Sequence, residues 1–536
     1  MRPLFTIDCE TDPFQHGRFP RPFLWGIYDG SCYWQFEDTA DVVDFVRDTN
    51  GVFYAHNGGK FDYHFLLDHA EDFTDTLIIA GRLAKWKLGD AELRDSYNIL
   101  PVPLKAYKKD EFDYTLMERE QRNRRAVRDK IEDYLKHDCI YLHELVSGFR
   151  ERYGLHLTQA SASLSQWKKL SGFQMPDTDW RLYEHFKPYY FGGRVQAFKM
   201  GCGKSKFYIA DIKSAYPSAM LNSHPIGGMP VRIFDHIIRP DYFYRCHARA
   251  AGCFPRRGED HRLHYDVGGN RQEYTITGHE LIAADELGLL RDCEITEIWK
   301  LEGQVDFRDY ILKLYDERQA AARSGDEAGK LFTKLLMNSL YGKFGADPRQ
   351  YYSYFIMDSA SAPLDNERYE LAGYIGKWAL IKDCVQDNFS KFYCVATAAS
   401  ITGYQRAVMM RQLSRARGLI YCDTDSIVAE DFGELDIGDG LGQWEIFSDP
   451  VTGKPVQFDQ YYIGGRKIYA FYSREGWTED GKRCHWKTAS KGAALSVEQI
   501  KRVARGEVVL YEPDVPTYSL HNPVRFINRE ISLVSD

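Results

Sequence analysis

The segment Leu419-Ile420-Tyr421-Cys422-Asp423-Thr424-Asp425-Ser426-Ile427-Val428 sets two carboxylates inside an otherwise apolar run. Taken as one strand, it predicts that Asp423 and Asp425 share a face through the two-residue period. Burying two acids there is costly unless cations stand nearby. A structural salt bridge is the bland explanation, but no basic residue lies within the strand to make one locally.

Working upstream, Asp211-Ile212-Lys213-Ser214-Ala215-Tyr216-Pro217 closes a predicted strand, 207–211. Between that acid and the pair lies Lys334-Leu335-Leu336-Met337-Asn338-Ser339-Leu340-Tyr341-Gly342. Lys334, Asn338 and Tyr341 recur at i, i+4 and i+7, one face of a helix. Lys334 suits a triphosphate, Tyr341 suits a newly formed base pair, and Gly342 permits close backbone approach. Arg318, on the preceding helix, offers a second cation. Downstream, Lys467-Ile468-Tyr469 falls in a predicted strand, 464–472, with Lys467 and Tyr469 on one face. Lys467 is suited to hold a primer terminus. Gly203-Lys204-Ser205 imitates the end of a phosphate-binding loop, but the glycine that loop requires five residues before Gly203 is Phe198. Residues 201–206 therefore read as a turn.

A second constellation occupies the N-terminal part. Asp8 and Glu10 lie two apart along a strand predicted over 3–9 and continuing into Glu10, and so share a face. Asn57-Gly58-Gly59-Lys60-Phe61-Asp62 follows a second strand, 52–56, and adds a carboxylate. Tyr134 and Asp138 stack at i, i+4 on a predicted helix, 130–152. Each element alone is common. Their conjunction is what two-metal phosphodiester hydrolysis needs: carboxylates to hold two ions about 3.5–4 Å apart, and Tyr134 to orient water.

Composition limits the alternatives. The 536 residues exceed one compact core. A 44% hydrophobic and 27% charged chain is ordinary for a globular protein. Aromatics, at 14% with 36 Tyr, suit base stacking as well as cores. The net charge of −8 is unlike that of a simple basic DNA-binding protein. It is compatible with clustered metal-holding acids and a basic channel elsewhere. Eleven scattered cysteines without a Cys-x-x-Cys pair argue for a reduced compartment rather than a disulfide framework or zinc site. There is no signal-peptide pattern and no apolar run long enough to span a membrane.

The first 150 or so residues read as an α/β domain. Residues 225–303 read as irregular, Gly-rich and inserted, and 346–390 as irregular again. Helices are expected at 305–323, 327–342 and 395–416, and a small separate unit in the last 45 or so residues. The stretch 346–380 carries Tyr351, Tyr352, Tyr354, Phe355, Tyr369 and Tyr374. It is too aromatic for a disordered loop and too long for a simple connector.

These blocks, in this order, resemble the family B DNA polymerases of the protein-primed subgroup, and look closest to those of tectivirus-type phages. Asp8/Glu10, Asn57…Asp62 and Tyr134…Asp138 match three exonuclease motifs. Asp211…Tyr216, Lys334…Gly342 and Tyr421–Ser426 match polymerase motifs A, B and C, and Lys467-Ile468-Tyr469 the Lys-x-Tyr motif. Tyr190-Phe191-Gly192-Gly193 matches the motif that joins the two activities. One departure is Ser96-Tyr97-Asn98-Ile99-Leu100, where Tyr97 replaces the family's Leu.

The resemblance implies a multidomain α/β and α+β fold: an RNase H-like 3′-5′ exonuclease domain, then palm, fingers and thumb with two insertions. The boundaries implied are 1–185 for the exonuclease, 186–224 for the linker and first palm segment, 225–303 for insertion one and 304–345 for the fingers. Insertion two follows at 346–380, palm at 381–490 and thumb at 491–536. Asp211 and Asp425 would hold two Mg²⁺ ions, with Mn²⁺ as the alternative and Asp423 beside them. Asp8, Glu10, Asp62 and Asp138 would hold two more. Tyr216 would stand against the ribose 2′ position, with Arg318, Lys334, Asn338 and Tyr341 around the nucleotide. Asn57, Phe61, Ser96, Tyr190, Gly192, Gly193, Lys467 and Tyr469 would contact DNA. Insertion one would dock a terminal protein used as primer, and insertion two would favour processivity and strand displacement. The implied partners are template and primer DNA, dNTPs, the terminal protein and a single-stranded DNA-binding protein, with the chain acting as a monomer in the host cytoplasm. The competing readings are a nuclease with a vestigial polymerase half and a non-catalytic replication scaffold. Both require lost acids, and every acid is present.

Overall fold

The computed structural model describes residues 2–70, 73–79, 81–235, 237–259, 261–265, 269–347, 353–361, 367–375, 378–384, 394–518 and 524–534. The N-terminal part is built on a seven-stranded sheet. Its order is Tyr33–Phe36, Pro22–Tyr28, Leu4–Thr11, Val52–Ala55, Ala91–Asp95, Arg82–Leu88, Phe73–Ile79. Leu4–Thr11 is buried along almost its whole length. A central strand covered on both faces must be so. It pairs in parallel with Val52–Ala55 and antiparallel with Pro22–Tyr28.

The helix Arg125–Tyr153 packs on this sheet. Ile131, Tyr134, Leu135, Asp138, Leu142, Leu145 and Phe149 are buried at the helical period. It ends at Gly154, whose φ of 85° a glycine adopts without a Cβ penalty. The largest apolar cluster crosses from this helix, through Leu164 and Trp167, to Phe332, Leu336 and Leu340 and then Ala398 and Ile401. The two halves of the chain therefore share one core.

The second large sheet is antiparallel. Its order is Lys482–Ser490, Ile468–Glu479, Phe458–Gly465, Gly201–Ile212, Ser426–Asp431, Arg417–Asp423, Val195–Ala197, with Trp444–Ile446 pairing to Gly201–Ile212 off this path. Residues 201–206, expected as a turn, are the first half of the strand Gly201–Ile212. Glycine and serine carry little strand propensity, but pairing with Phe458–Gly465 supplies the hydrogen bonds. A Cβ on Gly203 would lie 2.2 Å from the Tyr461 hydroxyl. The glycine marks close packing there, not a turn.

Two further regions are more regular than expected. Residues 225–303 contain a four-stranded sheet, ordered Val231–Ile233, Arg291–Lys300, Phe243–Arg249, Gln272–Thr277, and the helix Gly278–Glu286. The described part of 346–390 is a three-stranded sheet in the order Ser353–Asp358, Trp378–Asp383, Tyr369–Ile375. It packs on the N-terminal part: the strand Ser353–Asp358 lies beside Phe73–Ile79 of that sheet, Trp378 Nε1 donates to Leu67 O, at the end of the helix Asp62–Leu67, at 3.2 Å, and Leu380 joins that core. Tyr354 turns toward the same core while Phe355 is exposed. That alternation is a strand's. Tyr351 and Tyr352 lie outside the described residues.

The helices Arg308–Ser324 and Glu327–Phe344 pack against each other. Gly325, at φ 72°, ends the first, and the Asp326 carboxylate caps the second by accepting from Gly329 N. The C-terminal residues are not a separate unit. Tyr518 packs against Phe61, His64 and Phe65 of the N-terminal part. Among the described residues no helix is long and apolar enough to cross a membrane.

Candidate active sites

The N-terminal cluster gathers as expected. Glu10, Asp62 and Asp138 are buried and Asp8 is half-buried. Burial raises the Asp8 carboxyl well above the usual range, and the charges of Asp62, Asp138 and Glu10 raise it further. Burial likewise pushes Asp62 up to about 7, against a hydrogen bond from the Cys9 thiol. Acids crowded like this stay charged only beside cations. Asp138 Oδ1 has no hydrogen-bond partner although buried.

The loop 57–61 is held from behind. Asp95, fully buried, accepts from Gly59 N at 3.1 Å and from Arg82 at 2.6 Å, and Arg82 also donates to Asn57 Oδ1 at 2.7 Å. A Cβ on Gly59 would lie 2.1 Å from Leu83 O, so only glycine fits. Phe61 is half-buried between Phe14, Phe65 and Tyr518. Ser96 corrects the expectation of a strand contact. It is fully buried, and its hydroxyl donates to Ala55 O at 3.1 Å beside His56 Nδ1. It shapes the loop and presents nothing to solvent.

Two neighbours escaped sequence reasoning. Lys109 Nζ stands 3.3 Å from Asp138 Oδ2. Burial pulls the Lys109 ammonium down, but Asp138, Tyr114 and Asp8 hold it above its ordinary value. The Tyr114 hydroxyl is 2.9 Å from that of Tyr134, which lies close to Asp138. Lys109 comes from an irregular stretch and Tyr114 from the single 3-10 turn Tyr114–Met117, too short for a period, so a lone Lys or Tyr there gives no signal.

In the second cluster the structure corrects the geometry. Asp423 and Asp425 do not lie on one strand face. They flank a tight turn between Arg417–Asp423 and Ser426–Asp431. Thr424 has φ 59°, which costs a β-branched residue about 1–3 kcal/mol. It is held there by its N–H donating to Arg194 O at 2.7 Å and its hydroxyl donating to Asp423 Oδ1 at 3.1 Å. A Cβ on Gly193 would sit 2.6 Å from Thr424 Cγ2. Asp211 is the penultimate residue of Gly201–Ile212 and pairs with Ser426, beside the turn. Burial raises Asp211, and burial with the charges of Asp211 and Asp423 pushes Asp425 up to about 6.

Lys467 also departs from expectation. It sits at φ 60° in the turn before Ile468–Glu479, not on a strand face with Tyr469. Its ammonium reaches Asp423, so the basic partner missing from the local strand arrives from a distant hairpin. Tyr469 stacks on Phe471, with ring centres 4.4 Å apart.

Beside the acids opens a cleft of about 640 Å³. Arg318, Lys330, Lys334 and Asn338 line one wall, and Tyr216 and Asp425 the other side. Tyr216 stacks on Tyr341 at 4.3 Å. Lys330 was missed, although its i, i+4 spacing from Lys334 was legible. Gly192 faces open space, and Tyr190 packs where a Cβ on Gly345 would meet its hydroxyl at 2.6 Å. Among the described residues no three His, Cys, Asp or Glu side chains form a ready-made metal shell. Mg²⁺ rarely needs one, because it binds through one or two carboxylates completed by water and substrate phosphates. The all-oxygen donor sets suit that ion.

Residues 102–426 match the family described as DNA polymerase type B, organellar and viral. Over 570 aligned positions the chain is 32% identical to the DNA-directed DNA polymerase of Enterobacteria phage PRD1, covering 98% of this chain and 97% of that one. The chain belongs to the type B DNA polymerases. A probable DNA polymerase of Ascobolus immersus is 26% identical over 61% of this polymerase, which spans 28% of that protein. Phi29 DNA polymerase, solved with primer-template DNA and incoming nucleotides, superposes at a TM-score of 0.71 with 100% of both chains covered and 18% identity. Phi29 DNA polymerase with single-stranded DNA gives a TM-score of 0.73. The polymerase thus has the expected fold, an exonuclease-type domain followed by palm, fingers and thumb.

Proposed function

We propose that this DNA-directed DNA polymerase proofreads its product with a 3′-5′ exonuclease, starts on a terminal protein, and displaces the strand ahead. The observation that carries the proofreading reading is two carboxylate clusters on two different sheets. Asp8, Glu10, Asp62 and Asp138 would hold divalent cations at one, and Asp211 and Asp425 at the other. Mg²⁺ is the expected ion and Mn²⁺ the substitute. When bound, such ions activate an oxygen nucleophile and neutralise charge on the leaving oxygen.

The chain's own residues do the rest. Arg318, Lys330 and Lys334 present cations to a triphosphate, and Tyr216 closes the cleft against the sugar. Lys467 balances Asp423 until a primer end arrives. At the nuclease cluster, Tyr134 and Lys109 orient a water and a phosphate beside Asp138. Insertion one, 225–303, is the terminal-protein contact, and insertion two, 346–380, is the strand-displacement element. The polymerase works as a monomer in the host cytoplasm, with a single-stranded DNA-binding protein on the displaced strand. The test combines the polymerase, the terminal protein of the same genome, Mg²⁺ and labelled dNTP. Label should appear on the protein, and a mismatched primer end should be removed before extension. Ordinary extension with neither outcome leaves only the polymerase.

A further inference from the structure

Arg406 lies within the buried helix Val395–Arg415 and belongs to neither acid cluster. Its side chain is 3% exposed, and that of its partner Glu280 0%. Arg406 Nε and Nη2 donate to the Glu280 carboxylate at 2.7 and 3.0 Å. Nη1 donates to the carbonyls of Phe191 and Gly192, at 2.6 and 3.0 Å. Glu280 also accepts from the N–H and hydroxyl of Thr277, at 3.2 and 2.8 Å, capping the helix Gly278–Glu286 of the 225–303 insertion. Desolvating such a pair can cost more than its attraction returns, so stability alone is a poor account of it.

The two carbonyls belong to a strap that leads to the catalytic turn. Gly193 lies flush on Thr424, Arg194 O accepts from Thr424 N, and Val195 pairs with Asp423. Thr424 is the left-handed residue between Asp423 and Asp425. An unbroken run of contacts therefore joins Glu280, through Arg406 and the strap, to the acids. A second pair links the same two helices without touching the strap. Arg411 donates to Glu286 at 2.9 and 2.7 Å, and both side chains are partly exposed.

We propose that Arg406 and Glu280 are positioning residues for nucleotide addition, which fix the Asp423–Asp425 turn through the strap and tie the 225–303 insertion to it. This rests on the reading of Asp211 and Asp425 as cation-holding acids. The decisive variant is R406M/E280M, because apolar replacement of a buried ion pair is often neutral or stabilising. It should stay folded, melting below the parent because the Phe191 and Gly192 carbonyls and the Thr277 N–H lose their partners. Its kcat for single-nucleotide addition should fall roughly ten- to a hundredfold, as expected for a slightly misplaced site. The Mg²⁺ needed for half-maximal extension should rise several-fold, and degradation of single-stranded DNA should persist. R406K keeps the charge but cannot serve the carboxylate and two carbonyls together, so it should be slowed similarly. R411K/E286Q should extend like the parent. Parent kcat and Mg²⁺ requirement in folded R406M/E280M, full rescue by R406K, or an equal loss in R411K/E286Q would overturn the proposal. Normal extension by Asp425→Asn would instead remove the reading of the acids on which it rests.

Discussion

The Lys467 ammonium meets both carboxylate oxygens of Asp423, at 2.8 and 2.7 Å. Asp425, across the turn, is met by its own backbone N–H rather than by a cationic side chain, and burial with the charges of Asp211 and Asp423 raises it. Lys467 is in direct contact with one acid of the pair and acts on the other only from a distance. Asp425→Asn should therefore lower single-nucleotide addition by roughly 10²–10³-fold, the scale of losing a preorganised charge. Asp423→Asn should cost about tenfold less on the same argument. Rates at saturating primer would check this. An Asp423→Asn variant worse than Asp425→Asn would reverse the assignment.

The two acid clusters sit on separate sheets, so they should fail separately. Asp8→Ala with Glu10→Ala should reduce degradation of single-stranded DNA by roughly 10²-fold or more while primer extension stays near normal. Chelating Mg²⁺ from the parent should remove both activities. Loss of extension in a folded D8A/E10A protein would mean that the sites are not independent.

Lys109 gives the nuclease cluster a cation 3.3 Å from Asp138. Lys109→Met should lower degradation by roughly tenfold or more, since one positioned charge is lost from a water-poor site. Extension should be unaffected. Assaying both activities on one preparation separates this from misfolding.

Tyr216 stacks on Tyr341 at one side of the nucleotide cleft. Tyr216→Val opens space on that side and should narrow the preference for dNTP over rNTP by roughly tenfold or more. Competing dNTP and rNTP incorporation measures it. Unchanged discrimination with good dNTP extension would leave Tyr216 as packing before Pro217.

Trp378 anchors insertion two on the helix Asp62–Leu67 and on the core of the N-terminal part. Trp378→Ala should loosen that dock at a cost of about 3 kcal/mol. Products on a duplex-blocked template should shorten, while addition at a one-nucleotide gap should continue. The point change is cleaner than deleting 350–375, which would leave the strand Trp378–Asp383 without either neighbour. Full-length displacement products from a locally undocked variant would remove the strand-displacement role.

What could be read without coordinates had local periodicity behind it. The helix carrying Tyr134 and Asp138, the strand carrying Asp8 and Glu10, and the face of Lys334, Asn338 and Tyr341 all follow from spacing alone. The misreadings arose where a residue's role is set by contacts through space. Two short apolar strands joined by Asp423-Thr424-Asp425 look like one, because Thr424 at φ 59° carries none of the glycine or asparagine that marks a left-handed turn. Ser96 matched a motif, but its burial was invisible.

By itself the sequence determined which acids exist, how they are spaced, and the helices and strands that carry a clear apolar period, because backbone period acts between neighbours in the chain. Only the tertiary structure decided which acid is compensated, since Lys467 reaches Asp423 from another hairpin. It alone placed Lys109 at Asp138 and Arg406 against Glu280 and the strap. Those pairings depend on distance through space in a medium of low dielectric, where a charge finds its partner by packing and not by position along the chain.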